Sequence, residues 1–313
     1  MKGKGTKGNF ANIFIDVPKK PKGKQYLVDM LDDYLYSLNE NAAFNRKRVD
    51  GKISRIWRPS QLEKVCQAGC VRKLVFAHLD AEHEEGSFDV DAKLRRIFDN
   101  GSGVHERLQQ YLAELEEFTK SEVSLQGVWK CKNCHKVFGE SKFVGKPKIC
   151  SDCNHDRFKY KEAPFGIDSL NIQGTADGII KWGKDVFLLE IKSMNSHVFD
   201  RTVKVPDYYL PQVNMYMKGH GVGKCLFWCE NKNTQEIKEF IVSYDPKVIE
   251  SHLKLVKEAN KYINKKIVPQ CNKCTIRHGL EYCKTCEFKT ICKLDVPFKY
   301  DVRIKDCGVT NYG

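Results

Sequence analysis

Residues 174–193 read GTADGIIKWGKDVFLLEIKS, two apolar arms around Gly183-Lys184. Glycine at the first central position of a two-residue loop suits a type II′ turn, whose twist matches that of the strands it joins. Pairing Trp182 with Asp185 then fixes the register and puts Asp177 directly opposite Glu190, with side chains ~5 Å apart. Lys192 lies two residues beyond Glu190 and projects from the same face. Opposed carboxylates repel, and the run from Val186 to Ile191 is apolar enough for burial, so the arrangement needs a cation between the acids. The hairpin reads as a divalent-metal site with a lysine beside it.

Upstream of the hairpin the chain reads as helices. Residues 24–38 have helical apolar spacing through Leu27, Met30, Leu31, Tyr34 and Leu35. Ser60 after Pro59, with Glu63 completing a capping box, predicts a helix running through Cys66 and Cys70 to about His78. A further helix is expected over 91–99, broken by Asn100-Gly-Ser-Gly103, and another over 105–118, with His105 one turn before Leu108 and Gln109. Downstream, 207–218 reads as a helix with Gln212 and Tyr216 on one face at i, i+4 spacing. Strands are expected over 224–230 and 239–244, and Asp245-Pro246 opens a long amphipathic helix to about Lys266. The expected class is α/β, with the metal site on the central sheet.

Between the helices and the hairpin, Cys131-x-x-Cys134 and Cys150-x-x-Cys153 are separated by fifteen residues. That is zinc-ribbon spacing: four thiolates suit tetrahedral Zn²⁺, and the ion replaces a core that some thirty residues could not supply.

The 313 residues carry a formal charge of +13, and the pI near 9.0 favours a polyanionic partner such as nucleic acid or an acidic membrane surface. Residues 1–25 hold seven lysines against Asp16, so +6 of that belongs to a Gly/Lys-rich head. Arg46, Lys47, Arg48, Lys52, Arg55 and Arg58 add a second basic group. With no apolar run long enough to span a membrane and no signal peptide, a cytoplasmic protein is expected. Most of the fourteen cysteines fall in C-x-x-C pairs, which in a reducing compartment bind metal more often than they form disulfides.

Four segments in this order, GVHERLQQYL with His105, GTADGII with Asp177, LLEIKS with Glu190 and Lys192, and PQVNMY with Gln212 and Tyr216, resemble the PD-(D/E)xK nuclease superfamily. The resemblance is to its RecB-like branch of CRISPR-associated and phage-encoded exonucleases, and it covers roughly residues 58 to 293. It implies a restriction-endonuclease-like mixed sheet flanked by helices. It also implies that His105, Asp177, Glu190 and the Ile191 carbonyl bind Mg²⁺ or Mn²⁺, that Lys192 serves the attacking water, and that Gln212 and Tyr216 position Lys192 or its strand. Such ligands suit those ions. Cys283, Cys286 and Cys292 have the spacing of the iron–sulfur members, whose fourth ligand lies upstream, so a [4Fe–4S] cluster is implied. Cys66 and Cys70 both qualify as that ligand, and Cys70 in CVRKL fits better. Cys271 and Cys274 remain over, as an alternative ligand pair or a second zinc site.

The expected organisation is a basic arm and helix over 1–57, a helical part of the nuclease domain over 58–128, the ribbon insertion over 129–156, the nuclease core over 157–268 and a cysteine-rich segment over 269–313. The function implied is a metal-dependent DNA exonuclease acting on ends or single strands in recombination, repair or phage DNA processing. Its partners would be DNA and a recombination or replication protein. A structure-specific endonuclease, an RNase, and a non-catalytic DNA-binding recombination partner are the alternatives.

Overall fold

The computed structural model describes residues 27–44, 57–60, 62, 70–79, 90–269, 286, 288–292 and 298–299. Among the described residues the first helices are α1 (Leu27–Phe44), α2 (Val71–Leu79) and α3 (Ala92–Phe118), and Pro59, Ser60 and Leu62 before α2 are also helical. Next come β1 (Val123–Gln126), β2 (Val128–Cys131), β3 (Val137–Phe138), β4 (Phe158–Lys161), β5 (Ala163–Ile167), β6 (Ile172–Ala176), β7 (Gly178–Trp182) and β8 (Asp185–Met194). The chain continues through α4 (Ser196–Arg201), α5 (Leu210–His220), β9 (Lys224–Asn231), β10 (Ile237–Ser243) and α6 (Pro246–Lys265). The short β11 (Ile267–Val268), α7 (Lys289–Cys292) and β12 (Phe298–Lys299) close the described part.

The central sheet has the order β1-β7-β8-β9-β10. Its pairs are antiparallel except β8 with β9, so the sheet is mixed. β8 lies in the middle, and that position explains why Phe187 to Ile191 are buried without alternation. On one face, α3 packs Leu108 and Leu112 against Ile180, Leu189, Ile191 and Leu226. On the other, α2, α5 and α6 cover Leu188, Met194, Cys225 and Phe227. β5 and β6 form a separate two-stranded sheet, and β3-β2-β4 form the three-stranded sheet of the cysteine insertion.

The hairpin register holds: Trp182 pairs with Asp185 and Gly178 with Leu189, with Gly183 at φ +57°. The first arm, however, is not one strand. It pairs with β5 as far as Ala176, bends at Asp177 and then pairs with β1 and β8. Apolar alternation cannot reveal this, because both halves bury apolar side chains, in different sheets.

Two helix expectations are corrected. α3 runs unbroken for 27 residues through Asn100-Gly-Ser-Gly103, starting from the Asp91 cap, whose carboxylate accepts from the Leu94 N–H at 2.7 Å. A glycine inside a helix costs only about 1 kcal/mol against alanine. The apolar stripe continuing through Val104, Leu108 and Leu112 offsets that locally unfavourable run. Cys70 lies before α2 and not within a helix, its sulfur accepting from the Lys73 N–H at 3.4 Å. Cys66 lies outside the described residues. The strand expected over 239–244 starts at Ile237, and α6 opens on the Asp245 cap as expected.

Candidate functional site

Five segments converge at the bend. α3 supplies His105, whose Nδ1 lies 3.1 Å from Asp177 Oδ1. One turn on, the Gln109 amide donates to the Asp177 carbonyl at 2.8 Å, a carbonyl freed from ladder pairing by the bend. The Ile191 N–H on β8 donates to Asp177 Oδ2 at 2.6 Å. Asp177 is therefore held from both sides, at 7% exposure.

Glu190 is 2% exposed on the central strand. Lys192 forms an ion pair with it, and the Gln212 amide donates to its Oε1 at 3.1 Å and to the Tyr216 hydroxyl at 3.0 Å. Gln212 thus meets the strand at Glu190, with Tyr216 behind it accepting its second N–H. The Lys192 ammonium lies 5.0 Å from the centre of the Tyr209 ring, an electrostatically favourable place for a cation.

Burial drives the Glu190 pKa up to about 7, and the Asp177 charge adds to that while Lys192 opposes it. Burial alone would lower Lys192, but Glu190 and Asp177 outweigh it and raise its pKa above the ordinary value. His105 is treated likewise: burial lowers it, and the hydrogen bond and charge of Asp177 raise it further. Burial dominates the Glu190 shift, while the neighbouring acids account for the rise of Lys192 and His105, and a divalent cation between the carboxylates would relieve their repulsion.

The set of possible ligand atoms differs from the sequence reading. Atoms of His105, Glu162 and Asp177 lie within 4.8 Å of one another. Glu162 was missed. It sits between β4 and β5, holds the Thr175 hydroxyl at 2.6 Å, and in the sequence is a lone acid beside Lys159 and Lys161. Only the crossing from the insertion sheet to the β5-β6 sheet carries it to the site. Glu190 and Ile191 stand beside this group, Glu190 engaged by Lys192 and Gln212.

Cys131, Cys134, Cys150 and Cys153 form the second group, with sulfurs 3.6 Å apart for Cys131 and Cys153 and 3.5 Å for Cys134 and Cys150. Four thiolates bound at ~2.3 Å around a tetrahedral ion lie ~3.8 Å apart. Each pair sits in a tight turn. The His135 N–H donates to the Cys131 carbonyl and the Asn154 N–H to that of Cys150, and both residues adopt the left-handed conformation.

Of the implied iron–sulfur ligands, Cys70 and Cys286 are buried in one core with Phe76 and Phe288, whose rings lie 5.7 Å apart, and Cys292 packs against it. The C-terminal segment therefore meets α2. Cys283, Cys271 and Cys274 lie outside the described residues.

No protein-family model matches the chain, nor does any curated protein. Among solved structures it is similar to SSO0001, over 84% of this chain and 96% of that one, at 13% identity and a TM-score of 0.37. It is also similar to an alkaline exonuclease, LHK-Exo, from Laribacter hongkongensis, over 69% of this chain and 90% of that one, at 12% identity and a TM-score of 0.40. The same enzyme in complex with dAMP gives 13% identity and a TM-score of 0.37. Overlap at this level leaves the function to be argued from the side chains. No helix among the described residues is long and apolar enough to cross a membrane.

Proposed function

We propose that this protein is a metal-dependent DNA exonuclease, built on a restriction-endonuclease-like core and acting on ends or single strands. The observation that carries the reading is the convergence of Asp177, Glu190, Lys192 and His105 at the bend in a buried hairpin. Two acids, a lysine and an imidazole in a dry site serve no packing purpose and cost stability. DNA as substrate, in recombination, repair or phage DNA processing, is carried over from the resemblance of the four motifs to the RecB-like exonucleases.

Asp177, His105 and Glu162 would hold Mg²⁺ or Mn²⁺, with Glu190 and the Ile191 carbonyl completing its surroundings. Bound there, the ion would polarise the scissile phosphate and lower the pKa of a water. Lys192 orients that water and offsets charge developing on the phosphate. Gln212 and Tyr216 fix the Glu190 carboxylate, and Gln109 holds the bend. The insertion would carry Zn²⁺ on its four thiolates as a folding element. Cys70, Cys283, Cys286 and Cys292 would hold [4Fe–4S], consistent with Cys70 and Cys286 sharing one core.

Digestion of end-labelled linear single strands, linear duplex, circular DNA and RNA with Mg²⁺, Mn²⁺ or neither tests the reading. Ion-dependent shortening of linear DNA is expected, lost in Asp177→Asn and strongly reduced in Glu162→Gln. Cutting of circles would make it an endonuclease and cutting of RNA alone an RNase. Binding without cleavage under any ion would leave a DNA-binding recombination partner.

A further inference from the structure

The three-stranded sheet of the insertion has one face that the core explains and one that it does not. Trp129, Cys131, Phe158 and Tyr160 point inward, with Trp129 and Tyr160 rings 5.0 Å apart, and join the core beneath α3. The opposite face is set by the same register. Lys130 pairs with Lys159, and Lys161 lies two residues on. The register continues outward, the Lys132 N–H donating to the Arg157 carbonyl at 2.9 Å, so Lys132 stands opposite Arg157. Lys130, Lys159 and Lys161 thus share one face of the sheet, Lys130 directly opposed to Lys159 and Lys161 opposite the buried Val128, with Lys132 and Arg157 just beyond the strand ends.

Like charges opposed across an antiparallel pair destabilise it, so the arrangement is costly on its own and favourable under a polyanion. A solvated surface has no need to align them. Among the described residues, Glu106 at 3.6 Å from Lys159 is the acid that meets this face. The row also leads to the candidate site twice. Lys161 immediately precedes Glu162, and Glu106 immediately follows His105.

We propose that this lysine and arginine row is the track that feeds a DNA strand to the site, gripping phosphates upstream of the one placed at Asp177. The identity of the strand rests on the nuclease reading; the row's affinity for a phosphate backbone does not. Recognition through phosphates is sequence-independent and strongly salt-dependent, because each neutralised phosphate releases counterions.

The test is fluorescence anisotropy of a labelled oligo-dT and an oligo-rU of equal length, titrated at several KCl concentrations without Mg²⁺ or Mn²⁺. The full chain is compared with Lys130→Gln/Lys159→Gln/Lys161→Gln and with a control, Lys257→Gln/Lys261→Gln, on the exposed face of α6. For three lost contacts the slope of log K against log salt should flatten by about 2, with affinity for oligo-dT down at least about tenfold near 0.1 M salt. The control should match wild type. Zinc content and melting temperature establish folding, and the triple variant should melt no lower than wild type at low salt, because it relieves repulsion. An unchanged slope on oligo-dT overturns the track, as does a loss confined to oligo-rU. Wild-type cleavage of the same oligo-dT with Mn²⁺ is scored separately. Absent cleavage with salt-dependent binding would sink the nuclease reading alone, and normal cleavage with an unchanged slope would sink the track alone.

Discussion

Replacing Lys192 by Met keeps the volume of the side chain and removes the cation from a nearly fully buried Glu190. In the native protein the Glu190 pKa stands at about 7 against an ordinary 4.5, which corresponds to about 3 kcal/mol between its two protonation states. The folded state keeps a proton that the unfolded chain releases above pH 4.5, so this carboxyl's contribution to stability is full below pH 4.5 and lost as pH rises through 7. Lys192 is what holds that pKa down against burial. Without it Glu190 must either stay protonated or stand as an unpaired buried charge, which costs about 3–5 kcal/mol. Lys192→Met should therefore destabilise the fold by at most about 1 kcal/mol at pH 5.5, where Glu190 is protonated and the loss is mainly the contact with Tyr209. At pH 8.5 the loss should reach about 3 kcal/mol. Urea denaturation at both pH values, in buffer free of Mg²⁺ and Mn²⁺, measures the difference. Equal destabilisation at the two pH values would falsify the assignment of Glu190 and Lys192 as a coupled buried pair. Cleavage should vanish at either pH.

Cys131→Ser/Cys134→Ser should release about one zinc per chain and loosen the insertion, since two of four thiolates are lost. Metal-dependent cleavage of short strands should survive at a reduced level; full activity with zinc retained would show that these thiolates do not hold it. Arg107→Ala should cost about 3 kcal/mol in urea denaturation, because the guanidinium lies 2.6 Å from a fully buried Glu230 that would be left unpaired. A loss below about 1 kcal/mol would mean that water reaches Glu230 in the variant.

The sequence by itself determined the hairpin and the acids on it. Gly183-Lys184 admits a tight turn, the period of two does the rest, and both are local properties that survive whatever packs around them. The four-cysteine group and α6 with its Asp245 cap were legible for the same reason, being defined by spacing within a few residues. Tertiary structure decided the bend at Asp177, because strands β6 and β7 carry the same apolar signal while pairing in different sheets. It decided the continuity of α3, where packing of Val104, Leu108 and Leu112 outweighs two glycines whose local preference is to break the helix. It also brought Glu162 to His105 and Asp177 and aligned Lys130 with Lys159. A residue's charge is written in its own side chain, but the identity of the charge facing it depends on which distant strand lies alongside. That choice is made by the whole core, because no short window of sequence contains the apolar surface that must be buried together.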